Sequence, residues 1–282
     1  MLCELAHSFP HFIAKLLERD KDLTRNFGET TVTDLLMASL IGLAAFDILF
    51  DFPDEQKTGG DMEWIYVAKN DDLYFRVIMQ AKRAKRVALK GGDYWYYDHL
   101  AHGTPPGQQA QTLVSHAATA PGTLPLYILY HPTSALASAV PPLPAIEGVN
   151  LVFARDVASV VGRVCTKDEK KVDYWRNRFM PLSDLLCRPV LVPAPGEPAE
   201  SDARRFMSGG FHPDLVARRF RDRWEKISVL SPAESPPPAM IEPAVGIPSS
   251  ILRAIDGQIT PEERKALKRP RVIFTTHLPI DR

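Results

Sequence analysis

Asp61, Gln80 and Lys82 are residues whose types and spacing could do chemistry together. Gln80 and Lys82 flank Ala81 at the end of the strand-like run LYFRVIMQA (73–81), and alternate side chains of a strand stand on one face. Asp61 opens the preceding run, DMEWIYVA (61–68), and the intervening KNDD turn folds one run back along the other. A hairpin of two strands of about eight residues then sets Asp61 beside Gln80 and Lys82. A carboxylate and an amide oxygen are hard ligands of the kind Mg²⁺ takes. A metal held there would polarise a phosphoryl group and acidify its bound water. The adjacent ammonium would orient that water and answer the charge developing on the phosphorane. The expected chemistry is metal-dependent phosphodiester hydrolysis.

Such a trio must be positioned by regular elements, and the sequence patterns supply them. The first 50 residues read as helical: ELAHSFPHFIAKLLERDKDL, then, after Asn26-Phe27-Gly28, ETTVTDLLMASLIGLAAF, where Leu35, Leu36, Ser39 and Leu40 keep the spacing of one helical face. The period then changes. FDILFDF (46–52), DMEWIYVA and LYFRVIMQA are short, aromatic and β-branched, and they predict a three-strand meander. QQAQTLVSHAATA (108–120) predicts a helix behind Pro105, Pro106 and Gly107, and LPLYILYH (124–131) a fully buried strand. GVNLVFARDVASVVGRV (148–164) adds a strand and a short helix.

This order of elements with this trio resembles the PD-(D/E)XK nuclease superfamily, the restriction-endonuclease-like fold. The resemblance covers about residues 29 to 131, with Asp61 as the motif aspartate, Gln80 at the variable position and Lys82 as the lysine. It implies an α/β core of a helix, a three-strand meander, a helix and a strand. It also implies that Glu29, on the first core helix, joins Asp61 and Gln80 in holding Mg²⁺ or Mn²⁺. The helix with its Gln, Leu and Ala followed by PLYILYH resembles the segment packed behind the site in several relatives. Two positions depart from the pattern: Gly60 stands where a proline precedes the aspartate, and Gln80 replaces the usual acid. An amide carbonyl binds a metal more weakly than a carboxylate, although relatives with Gln there are active. The superfamily implies bacterial roles in restriction, anti-phage defence or mobile-element biology.

Other readings of the same residues stand beside this one. Asp61 after Gly59-Gly60 also reads as a turn residue, Lys82 as an exposed strand end, and Glu29 as a first-turn acid facing the helix dipole. Glu63 shares Asp61's face as a second ligand or an ion-pair partner. KRAKRVALK (82–90) packs five positive charges into nine residues, and Lys85, Arg86 and Lys90 are candidate phosphate contacts. YWYYDH (94–99) could stack bases or pack a loop onto the core. Gln109 either faces the site, touching phosphate or the attacking water, or points to solvent.

Composition bounds the rest. The 282 residues are 45% apolar, ample for a core, and 34 basic residues cancel 34 acidic ones, so a polyanion must be met by a local patch. Cys3, Cys165 and Cys187 form no CxxC pair, and no secretory segment precedes them, so a reducing cytoplasm is expected. LLMASLIGLAAF (35–46) is too short to span a bilayer, and no membrane partner is expected. His99, His102, His116 and His131 lack zinc-ligand spacing, and GxSxG and GxxxxGK loops are absent. Residues 1–165 are expected to form the nuclease-like core. Residues 166–282 are expected as a proline-rich extension with helices, decorating the core or mediating a homodimer or a partner contact. CRPVLVPAPGEPAE and LSPAESPPPAMIEPAVGIP read there as linkers or surface wraps, around a basic amphipathic helix in 201–227, with a strand-like RVIFTTHL near the end.

Three function classes remain open on the sequence: a DNA nuclease, a weakened module of the same fold that binds nucleic acid or protein without cutting, and an assembly protein without nucleic-acid affinity. If Lys85, Arg86 and Lys90 meet phosphates, changing all three to Ala is expected to flatten the slope of log affinity against log salt by up to about three units. An unchanged slope in a salt titration would mark the run as a solvated face.

Overall fold

The computed structural model describes residues 1–19, 27–43, 48–51, 62–88, 93–103, 105–136, 147–163, 165–187, 211–230, 241–266 and 270–276. Along them run α1 (Leu2–Glu18), α2 (Glu29–Ile41), β1 (Ile48–Asp51), β2 (Met62–Ala68), β3 (Leu73–Arg83), β4 (Lys85–Val87), β5 (Tyr94–Tyr96), α3 (Gln108–Ala118), β6 (Thr123–Tyr130) and α4 (Thr133–Leu136). There follow β7 (Val149–Phe153), α5 (Ala154–Val161), α6 (Val172–Trp175), β8 (Met180–Pro181), α7 (Ser183–Leu186), α8 (Pro213–Leu230), β9 (Ala244–Val245), α9 (Ser249–Ile255), α10 (Pro261–Ala266) and β10 (Arg271–Thr276). The chain is a mixed α/β protein built on a central mixed sheet.

The sheet runs β1-β10-β2-β3-β6-β7-β8, with β9 beside the start of β3. β3 is antiparallel to β2 and parallel to β6, and β10 is parallel to β2 and antiparallel to β1. The hairpin of β2 and β3 is the one its hydrophobic pattern predicts, closed by a turn at Lys69–Asp71 and a left-handed Asp72 with φ 51°. Aspartate tolerates that backbone, and its Oδ1 accepts a bond from the Ile247 N–H at 3.0 Å. The expected meander of three adjacent strands is corrected in one respect. β1 and β2 are not neighbours, because β10 lies between them.

Side chains alternate across the sheet, and each face meets its own helices. Trp64 and Tyr66 of β2, Phe75, Val77, Met79 and Ala81 of β3, and Leu126 and Ile128 of β6 share a core with α1, α2, α7 and α8. On α2 the buried stripe is Val32, Thr33, Leu36, Met37 and Leu40. Leu36 and Leu40 belong to it as their spacing predicts, while Leu35 and Ser39 lie at its margin. On the opposite face, Ile78, Tyr127, Leu129 and Val152 pack under α3 and α5, and Ile65, Val67 and Ile273 pack under Ile247 and Ile251 of the α9 region. β6 is buried at every position, as a strand covered on both faces must be.

Residues beyond 165 take part in this core. β8 extends one side of the sheet, β10 lies within it, and the basic helix α8 lays Val216, Ala217, Phe220 and Ile227 on the first face. The proline-dense runs at 188–200 and 231–240 lie outside the described residues. Gly148 is needed where α1 crosses the start of β7: a Cβ there would lie 1.8 Å from the Pro10 carbonyl oxygen.

The position of β10 answers a charge that β2 buries. Glu63 is 5% exposed, and its register partner across the parallel pair is Arg271. Arg271 Nη2 lies 3.3 Å from Glu63 Oε2, and Arg76 Nε of β3 lies 2.9 Å from Glu63 Oε1. Glu63 is thus an ion-pair partner of two guanidiniums. Removing one member of a buried ion group costs about 3–5 kcal/mol, because the remaining charges lose their answer. Glu63→Gln is therefore expected to lower unfolding free energy by about 3 kcal/mol in a urea titration. A loss below about 1 kcal/mol would mean that water already meets the two arginines.

Candidate functional site

The polar end of β3 is built by strand parity. Met79 and Ala81 enter the first core, so Gln80 and Lys82 stand together on the other face, 2% and 4% exposed. Gln80 pairs with Tyr127 of β6 and Lys82 with Leu129. On the other side Met62, the first described residue of β2, pairs with Met79. Asp61 lies outside the described residues; it is the chain neighbour of Met62, whose partner is the chain neighbour of Gln80.

Glu29 reaches this end from the opposite layer. It is the first residue of α2, where an acid complements the helix dipole. Its Oε2 lies 3.8 Å from Lys82 Nζ, and its Oε1 accepts a hydrogen bond from the Arg83 backbone N–H at 3.2 Å. The Arg83 guanidinium donates to the Phe27 carbonyl just ahead of the helix. Glu29 and Lys82, 53 positions apart in the chain, are thus brought together. Lys82 is not the exposed strand end of the alternative reading. The arrangement presents a carboxylate, an amide and an ammonium at one strand end, with Glu29 still 31% exposed and reachable from solvent.

The surrounding candidates divide. Gln109 is half-buried on the first turn of α3, and its Oε1 is buried with no hydrogen-bond partner among the described residues. Lys85 pairs with Asp98 at 3.0 Å and Arg86 pairs with Asp93, both on the surface. Lys90 lies outside the described residues. Beside this ribbon, Asp98, His99, His102 and Lys170 line an open cleft of about 300 Å³.

The aromatic run packs inward at Tyr97, which is fully buried. Its hydroxyl lies 2.5 Å from His131 Nε2, while His131 Nδ1 lies 3.1 Å from the Glu147 carbonyl. Asn150 Nδ2 donates to the same carbonyl at 2.7 Å and lies 3.3 Å from His131 Nδ1, so the ring is held on both sides. Burial pushes His131 down to about 3 and Tyr97 well above its ordinary value, so both are neutral ties between loop and sheet.

Two features had no signal in the sequence patterns. Arg271 lies 208 positions from Glu63, beyond the reach of any local spacing rule. Cys3 and Cys187, 184 residues apart and outside any CxxC spacing, form a disulfide.

Residues 2–277 match a family described as a family of unknown function (DUF6615), and the chain belongs to that family. Comparison with curated proteins and with solved structures found no match.

The site's geometry separates charge from packing at Lys82. Lys82→Met keeps most of the buried stem and leaves Glu29 to be rehydrated, so unfolding in urea is expected within about 1 kcal/mol of the parent. Lys82→Ala also removes the stem and is expected to lose about 2 kcal/mol or more. Equal losses in the two variants would show that the ion pair with Glu29, and not the stem, holds the strand end.

Proposed function

We propose that this chain is a metal-dependent nuclease that hydrolyses phosphodiester bonds of DNA, with a restriction-endonuclease-like core. The observation that carries the reading is the buried Lys82 ammonium beside Glu29, on the same strand face as Gln80. The described order of α2, β1, β2, β3, α3 and β6 agrees with the order of that fold, with β10 as an added strand. The donors here, the Glu29 carboxylate and the Gln80 amide with Asp61 from the sequence, are hard oxygens and fit Mg²⁺ or Mn²⁺. Such an ion supplies polarisation of the phosphoryl group and a more acidic water.

The chain's own groups do the remaining work in this reading. Lys82 orients the attacking water and stabilises charge on the phosphorane. Gln109, whose Oε1 has no partner among the described residues, accepts a hydrogen bond from that water. Lys85 and Arg86 exchange their surface carboxylates for phosphates, with Lys90 on the same basic run. Bacterial defence or restriction in the cytoplasm, and a homodimer or partner contact through residues 166–282, complete the proposal.

One observation favours a module that binds without cutting. Both Glu29 oxygens are engaged, one by the Arg83 N–H and one facing Lys82, so a metal would have to share that carboxylate. Cleavage assays over DNA and RNA with Mg²⁺ and with Mn²⁺ separate the readings. Metal-dependent DNA cleavage is expected, abolished in Asp61→Ala and slowed in Lys82→Met by on the order of a hundred- to a thousandfold in single turnover. Nucleic-acid binding without cleavage by the parent would select the binding module.

A further inference from the structure

Among the described residues, three metal-binding side chains converge at one place, and it stands on different elements from the β3 site. Cys3 and His7 are one turn apart on α1 and so share a helix face. Cys187, at the C-terminal cap of α7, meets that face. Its Sγ lies 3.6 Å from His7 Nε2, and all three ligand atoms lie within 4.8 Å of one another. Tetrahedral zinc has bonds of about 2.3 Å to sulfur and about 2.0–2.1 Å to nitrogen, which set an S···N edge of about 3.6 Å and an S···S edge of about 3.8 Å. The edge from Cys187 to His7 is already present, and that from Cys3 to His7 is no longer than 4.8 Å. The sulfur–sulfur edge is closed by the disulfide.

We propose that Cys3, His7 and Cys187 form a zinc site in the reduced chain. A small thiol reductant opens the disulfide by exchange: the protein S–S and two RSH give two protein thiols and RSSR. Zinc then takes two thiolates and the neutral imidazole, two protons leave to solvent, and water fills the fourth position. Two thiolates with one imidazole suit zinc, whereas the oxygen donors near Lys82 suit Mg²⁺, so the two sites sort metals by ligand softness. A reducing compartment would keep the thiols available, and there a cysteine pair serves metal binding more often than a structural disulfide. In either state the same two sulfurs pin α1 to the end of α7. The inference does not depend on the nuclease reading.

Cobalt substitution tests it. Fully reduced protein, freed of reductant and oxygen, is titrated with Co²⁺ and watched for the thiolate-to-cobalt charge-transfer band and the visible bands of a tetrahedral ion. A band saturating at one equivalent and bleached by Zn²⁺ is expected. It should vanish in Cys3→Ser and in Cys187→Ser and persist in Cys165→Ser. The reduced parent lacks the disulfide too, so matching far-ultraviolet dichroism of parent and serine variants assigns a lost band to a lost ligand. His7→Ala keeps both sulfurs and should weaken Co²⁺ binding about a hundredfold or more, since even an outer partner of a metal ligand is worth about ten- to a hundredfold. No band in the reduced parent, a full band in Cys187→Ser, or parental affinity in His7→Ala would overturn the site.

Discussion

A strand hydrogen-bonded along both edges and covered on both faces can carry charge only where another group meets it. β3 is such a strand, and it carries Arg76 and Lys82 as well as the amide of Gln80. Much of the architecture can be understood as the set of answers to those side chains. Arg76 meets Glu63 from β2, and Glu63 in turn meets Arg271 from β10. Lys82 meets Glu29, which requires α2 to start at the strand end and not further along the sheet. The apolar alternates, Val77, Met79 and Ala81, fill the other core and hold the strand's register while the polar side is arranged.

These two clusters differ in what they leave accessible. Around Glu63 one carboxylate meets two guanidiniums, and the side chains are 6 to 17% exposed. That cluster is a structural device. At Lys82 the ammonium is buried but its acid is about one-third exposed. A buried cation whose counter-charge opens to solvent can accept a further anion at modest cost, because the desolvation of the cation has already been met in folding. The difference separates the candidate site from the rest of the sheet's polar groups.

The local part of this fold was legible in the sequence because local patterns encode it. The period-two run of β3, the KNDD turn, the unbroken apolar run of β6 and the helix behind Pro105-Pro106-Gly107 each announce an element within a few residues of its observed bounds. Gln80 and Lys82 were legible as a pair because strand parity alone sets them side by side. What escaped the sequence depends on contacts across long separations. No spacing rule says that RVIFTT inserts between β1 and β2, antiparallel to one and parallel to the other, and therefore none says that Arg271 meets Glu63. The disulfide escaped for the same reason, since Cys3 and Cys187 meet only once α1 and α7 are packed. Asp61, which the sequence ties most closely to the chemistry, lies outside the described residues.

The insertion of β10 also sets a timetable for biogenesis. Residues 271–276 are synthesised after every other described strand, yet their place is inside the sheet, hydrogen-bonded to β1 on one side and β2 on the other. Until that strand emerges, β2 has a partner in β3 but none among the described strands on its opposite edge, and β1 has no described strand beside it. Open strand edges are templates for intermolecular pairing, and contacts that span most of a chain form late and slowly. Until residues 271–276 emerge, a nascent chain of this protein therefore carries an open edge on β2 and a Glu63 met by Arg76 alone, and both wait for that strand.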